Sequence, residues 1–309
     1  MLRLLKNNAL PLAMIVGVAG HGLFARLSLL MPYLIFTMLL LTFCKISIRQ
    51  MRLQRLHLWL LLMQLAGSVA VYFAMLPLGS VVAQGVMVCV ICPTATAAAV
   101  ITHKLGGNAA VLTTYTLISN LGTAVAVPLL FPLIEPCAGV SFGTSFAVIL
   151  GKVFPLLICP FIAASLLRRF CPRVHGVLER AHGAAFYIWT FALAIVAAQI
   201  FVSMQDDETA VAVKVTTAVA TLVLCLLQFM GGKAVGSLYG ERISAGQALG
   251  QKNTIFAIWM AHAYLNPAAA IGPGAYVLWQ NVVNSWQIYK KDRVVARSQG
   301  GAGCSRQGR

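Results

Sequence analysis

Long apolar runs recur along this chain at a length set by a lipid bilayer. A helix crosses the hydrocarbon core with about 20 predominantly apolar residues. Ten such runs occur, at roughly 9–25, 28–46, 56–76, 79–105, 109–134, 143–168, 183–204, 211–236, 245–265 and 268–289. No stretch between them is long enough for a soluble domain. Only 10% of residues are charged and 60% are hydrophobic, whereas a soluble domain carries about 25% charge. Lipid must therefore solvate much of the surface. Within lipid, a helix satisfies its own backbone groups, so the expected fold is an all-α polytopic membrane protein of ten transmembrane helices.

Lysine and arginine number 23 against seven acidic residues, a net charge of +16. In a soluble protein this excess would suggest nucleic acid. Here the bases sit at the ends of apolar runs and report orientation instead, so no nucleic-acid partner is expected. With ten spans, both tails and the loops after even-numbered spans share one side. That side collects Arg3, Lys6, Lys45, Arg49, Arg52, Arg55, Lys104, Arg168, Arg169, Arg173, Arg180, Lys233 and Arg242, then the bases from Lys290 to Arg309. The opposite side holds Arg26 and Lys214, with Glu135, Asp206, Asp207 and Glu208. Both termini are thus expected in the cytoplasm, with the chain in the cytoplasmic (inner) membrane. Arg3 and Lys6 also resemble the start of a signal peptide. No small-residue cleavage site follows, so 9–25 reads as a retained span. Residues 1–289 read as one transmembrane domain and 290–309, rich in Gly, Ser and Arg, as a basic disordered tail.

Two runs contain features that a plain lipid-facing helix would avoid. The fourth holds Cys92-Pro93-Thr94-Ala95-Thr96-Ala97-Ala98-Ala99. Pro93 removes a backbone donor and disfavours helix at the residue before it. Thr94 and Thr96 can satisfy the freed groups or face a ligand. The ninth holds Gly246-Gln247-Ala248-Leu249-Gly250-Gln251-Lys252-Asn253, where a non-helical backbone is tolerated only inside protein or beside an aqueous cavity. Each break falls in the fourth span of a set of five. Five is odd, so the second set would insert upside down, as an inverted repeat whose breaks meet near the midplane. Half-helix N-termini meeting there suit an anion.

Little points to catalysis. The seven acidic residues lie almost wholly outside the apolar runs, and no nucleophile–base set or phosphate-binding loop occurs, so neither an enzyme nor a cofactor is expected. Cys89-x-x-Cys92 can bind metal or run redox chemistry, but without a second ligand pair it reads as small residues of a packed helix. Lys152, deep in the sixth run, either lines a cleft or extends to a surface. His103 and Lys104 read as ligands of a helix C-terminus, and His262 as a packed histidine or a proton relay.

Three motifs in order carry a resemblance. Cys92-Pro93-Thr94-Ala95-Thr96-Ala97 followed by Gly106-Gly107-Asn108 resembles C-P-G-G-T-A-S-N…G-N. Gly250-Gln251-Lys252-Asn253 resembles E-x-G-x-Q-N, and Trp279-Gln280-Asn281 resembles W-H-N. These belong to the bile acid:sodium symporters and their bacterial homologues. The resemblance implies a core of spans 3–5 and 8–10 holding two crossed broken helices, a panel of spans 1, 2, 6 and 7, and a substrate cleft between them. It places substrate near Thr94, Thr96, Asn253, Gln280 and Asn281.

The departures fall on the ion site that the resemblance implies. The family's shared Glu is Ala248 here, the motif Gln is Lys252, the Ser-Asn pair is Ala98 and Ala99, and a Ser ligand falls on Leu112. Gln64 and Thr116 keep ligand-capable side chains, and Gln251, next to Lys252 in sequence, joins them in the implied ion or coupling site. A Glu with two sodium ions leaves a net charge of +1, and so does Ala248 with a protonated Lys252. The lysine can thus stand in for the ions, with backbone carbonyls, Gln64, Thr116 and the substrate's charge as expected partners. The expected function is transport of a small organic anion, bile-acid-like or another carboxylate, by alternating access without sodium. Protons remain open as a coupling ion. The alternatives are ordinary sodium symport and, in another class, a membrane sensor that binds without transporting.

Overall fold

The structure is a computed structural model that describes residues 9–45, 51–136, 138–206 and 210–304. Arg3, Lys6, Arg49, Asp207, Glu208, Arg306 and Arg309, used above for orientation, lie outside the described residues. The described residues are overwhelmingly helical. In chain order the helices are α1 (Ala9–Ala19), α2 (His21–Phe24), α3 (Met31–Lys45), α4 (Arg55–Met75), α5 (Ser80–Ile91), α6 (Ala98–Leu105) and α7 (Ala109–Ile134). Then come α8 (Phe142–Phe170), α9 (Pro172–Arg180), α10 (Ala184–Asp206), α11 (Val211–Ser237), α12 (Arg242–Gly250), α13 (Thr254–Tyr264) and α14 (Ile271–Cys304).

Six segments among the described residues are long and apolar enough to cross a membrane. They are His21–Lys45, Arg55–Leu78, Ala109–Ile134, Phe142–Phe170, Ala184–Val202 and Val211–Ser237. Their outer faces confirm the solvent. Along α11, Val211, Val215, Val219, Val223 and Leu227 are all more than half exposed. A spacing of four residues puts them on one face, and an apolar stripe of that length fits lipid rather than water. The chain is a multi-pass membrane protein.

The structure departs from the sequence reading at both ends. The first two expected runs are not separated near Arg26. The chain turns at Gly20 and then runs from His21 to Lys45 through a 3₁₀ stretch, Ala25–Leu30. No Gly or Pro between Leu23 and Met31 stops it. At the other end, α14 continues to Cys304, so 290–304 is helical where an irregular tail was expected. Lys290 to Arg297 are mostly good helix formers without a proline. The short helix α9 was not anticipated. It places His175 where Arg168 Nε donates to it at 3.2 Å, while Arg168 Nη2 reaches the Cys44 carbonyl at the end of α3 at 3.1 Å.

Two sets of helices pack internally. Helices α1, α3, α8 and α10 lie against one another, as do α4, α5 and α7 with α11, α12 and α14. Close approach depends on glycine. A Cβ on Gly17 would collide with the Ala194 backbone of α10, and one on Gly232 with the Ala245 backbone of α12. Smaller apolar clusters pack between these helices. One joins Leu60, Leu112 and Tyr115 to Ala245 and Leu249, and another joins Val86 and Cys89 to Cys225, Phe229 and Tyr276.

Candidate functional site

Both expected breaks are present, and they touch. Helix α5 ends at Ile91, Cys92 turns extended (ψ 148), and helix resumes at Ala98. Helix α12 ends at Gly250 and α13 starts at Thr254. Between the breaks Thr94 and Lys252 form an isolated antiparallel bridge. Ala95 N–H donates to Gln251 O at 2.9 Å and Asn253 N–H to Pro93 O at 2.8 Å. Residues about 160 positions apart in sequence are thus joined backbone to backbone at the centre of the protein.

Proline alone does not make the break. Pro128 and Pro132 lie inside α7, and Pro155 and Pro160 inside α8, without stopping either helix. At Pro93 the freed carbonyls find other donors, as buried backbone groups must. Val88 O keeps its ordinary helical bond from Cys92 N–H. Cys89 O accepts from Gln228 Nε2 at 3.3 Å. Val90 O accepts from Lys252 Nζ at 2.7 Å and Cys92 O from the same nitrogen at 3.2 Å. Ile91 O accepts from Gln64 Nε2 and Thr123 Oγ1, each at 2.8 Å. Thr94 N–H, which would otherwise bond back to Val90, turns to Ser119 Oγ at 3.2 Å.

The second break is closed in the same manner. Ala248 O accepts from Thr94 Oγ1 at 2.7 Å, and Gly250 O from Tyr276 OH at 2.8 Å. Lys252 N–H donates to Gln280 Oε1 at 2.8 Å. Asn253 caps α13, its side-chain oxygen accepting from Phe256 N–H at 3.3 Å. A glutamine–tyrosine pair braces each half. Tyr115 OH donates to Gln64 Oε1 at 2.7 Å, and Gln228 Nε2 donates to Tyr276 OH at 3.0 Å.

Lys252 is 1% exposed and its ammonium points into the C-terminal end of α5. Of its expected partners, the backbone carbonyls are the ones it meets. Gln64 contacts it indirectly by sharing Cys92 O, at 3.4 Å. Thr116 instead bonds back to Leu112 O of its own helix at 3.0 Å. Ala98 and Ala248 are buried and Ala99 is half-buried. Gln251 supplies its backbone oxygen to the crossing, while its side-chain Oε1 is buried without a partner, as is Asn120 Oδ1 on α7.

The expected substrate residues divide into two groups. Thr94 and Gln280 are buried and committed to the crossing's own backbone. Thr96 and Asn253 are half-buried beside the bridge, and Asn281 is half-buried on α14 with its amide bonded to Val277 O at 2.6 Å. Ser119, Thr123, Tyr115, Gln228 and Tyr276 were not singled out from sequence. For Ser119 and Thr123 a signal was there. Thr116, Ser119, Asn120 and Thr123 recur at helical spacing on one face of an otherwise apolar run, and all are buried.

Other residues settle elsewhere. Lys152 is exposed on α8. His103 and Lys104 are exposed, and the end of α6 is capped differently from expectation. Gly106 adopts the left-handed conformation (φ +84) and donates to Thr102 O and His103 O, while Lys291 Nζ donates to Lys104 O at 2.7 Å. Left-handed backbone explains why glycine stands there. The thiols of Cys89 and Cys92 donate to carbonyls of their own helix, Gly85 O and Cys89 O.

Comparison with curated proteins gives no match. A family profile does match, over residues 26–232, two thirds of the chain. It includes the first broken helix and ends before the second, where Ala248 and Lys252 depart from the motif. On that match, the chain belongs to the sodium bile acid symporter family, a family of membrane transporters.

Proposed function

We propose that the chain carries a small organic anion across the cytoplasmic membrane by alternating access, without sodium, using Lys252 as a cation built into the crossing. The observation that carries this reading is the position of the Lys252 ammonium on the Val90 and Cys92 carbonyls, fully buried. Sodium needs several hard oxygens. Here Ala98, Ala99 and Ala248 offer no side-chain oxygen, and the ammonium occupies two carbonyls of the break. These replacements take away side-chain ligands that a sodium pair would use.

The architecture in this reading has ten spans arranged as a 5+5 inverted repeat, with both termini cytoplasmic. The panel is spans 1, 2, 6 and 7, and the core is spans 3–5 and 8–10. The internal packing of α1, α3, α8 and α10 against one another supports that division, and the contact between the breaks supports the repeat. Substrate meets the crossing at Thr96, Asn253 and Asn281, whose hydroxyl and amides can bond a carboxylate or hydroxyl. Thr94 and Gln280 hold the backbone behind them.

One observation favours the second reading, sodium symport. Asn120 Oδ1 and Gln251 Oε1 are buried acceptors without a partner. Uptake into proteoliposomes separates the two. With potassium replacing sodium throughout, uptake of an organic acid should persist at a comparable rate. Its abolition would establish sodium coupling, and ligand binding with no uptake under any gradient would identify a sensor.

A further inference from the structure

The outer face of α14 changes character along its length. Val282, Trp286 and Tyr289 are 63%, 57% and 60% exposed, and their spacing places them on one side of the helix. Lys290 Nζ lies 5.3 Å from the centre of the Trp286 ring, and the Arg293 guanidinium lies 5.6 Å from that of Tyr289. Aliphatic, aromatic and cationic groups thus follow one another within about 16 Å of helix rise. This is the order met on leaving hydrocarbon for the headgroup layer. A cation stacked on an aromatic ring holds its charge at that boundary.

The neighbouring charges do not cancel. Arg242 and Lys290 both act on Lys233 of α11, whose stem lies across Gly246 of α12. Glu241, held by Asn108 Nδ2 at 3.1 Å and Ser244 Oγ at 2.8 Å, and Asp292 are outnumbered by Lys104, Lys233, Arg242, Lys290, Lys291 and Arg293. Asp292 is exposed. The next residue on α14, Lys291, donates to Lys104 O at the end of α6. This end of α14 therefore connects a cationic, lipid-facing surface to a half-helix that leads directly from the crossing.

We infer that an anionic phospholipid binds here, its headgroup against Lys290 and Arg293 and its chains along Val282 and Trp286. The bound headgroup offsets the repulsion around Lys290 and so steadies the Lys291–Lys104 tie to α6. A neutral lipid fills the same apolar stripe without supplying the charge. The inference rests on membrane embedding alone and is independent of the solute carried or its coupling.

The test compares thermal unfolding in nanodiscs of phosphatidylcholine with unfolding in nanodiscs containing phosphatidylglycerol. The full chain should unfold a few degrees higher with phosphatidylglycerol, because a ligand that binds only the folded state stabilises it. The double variant K290Q/R293Q should lose that gain. R26Q, an exposed cation on a different segment, should keep it. No gain in the unaltered protein, a gain retained in K290Q/R293Q, or equal loss in R26Q would each overturn the inference. So would an equal gain from inorganic phosphate added to phosphatidylcholine discs, since the ligand would then be a free anion.

Discussion

Replacing Lys252 with methionine removes the charge and keeps the length and most of the volume of the side chain. Two hydrogen bonds are lost, at 2.7 and 3.2 Å. Cys92 O keeps Gln64 Nε2 at 3.4 Å, so the loss falls mainly on Val90 O. An orphaned buried carbonyl costs about 1–3 kcal/mol. Against this, burial of the ammonium, which costs several kcal/mol in a protein interior, is relieved. The two effects oppose each other, so the folded state should shift by less than the several kcal/mol of ammonium burial alone. Anion binding has no such compensation. At about 8 Å and an effective dielectric of about 20, loss of one positive charge removes about 2 kcal/mol of attraction, roughly thirtyfold in affinity. The assay is a thermal-shift titration of organic acids against both proteins, with and without sodium. A Lys252→Met protein that folds and binds its acid as tightly as the parent would refute the electrostatic role. Restoring the family pattern with Ala248→Glu and Lys252→Gln should introduce sodium dependence. If it does not, the exchange of lysine for ions is the wrong account.

Three further outcomes test the site and its setting. Tyr276→Phe removes the donor to Gly250 O and the acceptor for Gln228, and should lower stability by about 1–3 kcal/mol in denaturation of the purified protein. Thr96→Ala, Asn253→Ala and Asn281→Ala should each weaken substrate binding by about 1–3 kcal/mol in the same thermal-shift titration, and unchanged affinity in all three would remove them from the site. Cysteines introduced at Arg173 and Asp206 in a cysteine-free background should label from the cytoplasm and the exterior respectively, and the reverse pattern would invert the orientation.

Much of the scaffold was legible because a bilayer dictates run length. The run expected at 109–134 is the helix Ala109–Ile134. The breaks were legible too, from Pro93 and from the Gly, Gln and Lys cluster at 246–253. The limits of that reasoning show at Pro128 and Pro155, which share Pro93's chemistry but interrupt nothing. What separates them is the supply of side-chain donors from distant helices, and no local sequence pattern encodes it. Lys252 reaches a carbonyl 162 positions away and Gln228 one 139 positions away. The sequence marked Lys252 as a polar group at membrane depth, which licenses a site hypothesis, and passed over Gln228; tertiary packing chose the partners of both. Thr116 shows the reverse: a side chain with ligand chemistry that its own helix backbone satisfied first.

The backbone at the crossing also bears on how Lys252 would couple transport. Thr94 N–H is taken by Ser119 and helix does not resume until Ala98, so the carbonyls of Val90 and Cys92 need a donor or a cation. A sodium ion and an ammonium both meet that need, but they differ in what can leave. An ion can depart with the substrate, whereas Lys252 is part of the chain between α12 and α13. The remaining route to coupling is loss of a proton. An ammonium has three N–H groups and uses two here, so a neutral amine could still make both bonds, and hydrogen-bond geometry permits either form. The C-terminal end of α5 presents its negative dipole and two carbonyls to the nitrogen, and the proposed role of Lys252 as a fixed cation requires that it stay charged through the cycle. We therefore expect uptake of an organic acid into proteoliposomes to vary little between pH 6.5 and 8, as for a uniporter or anion exchanger, provided the substrate itself stays ionised. An inward proton gradient should not accelerate it. A strong pH dependence that vanishes in Lys252→Gln would reverse this conclusion and make Lys252 the carrier of the coupling proton.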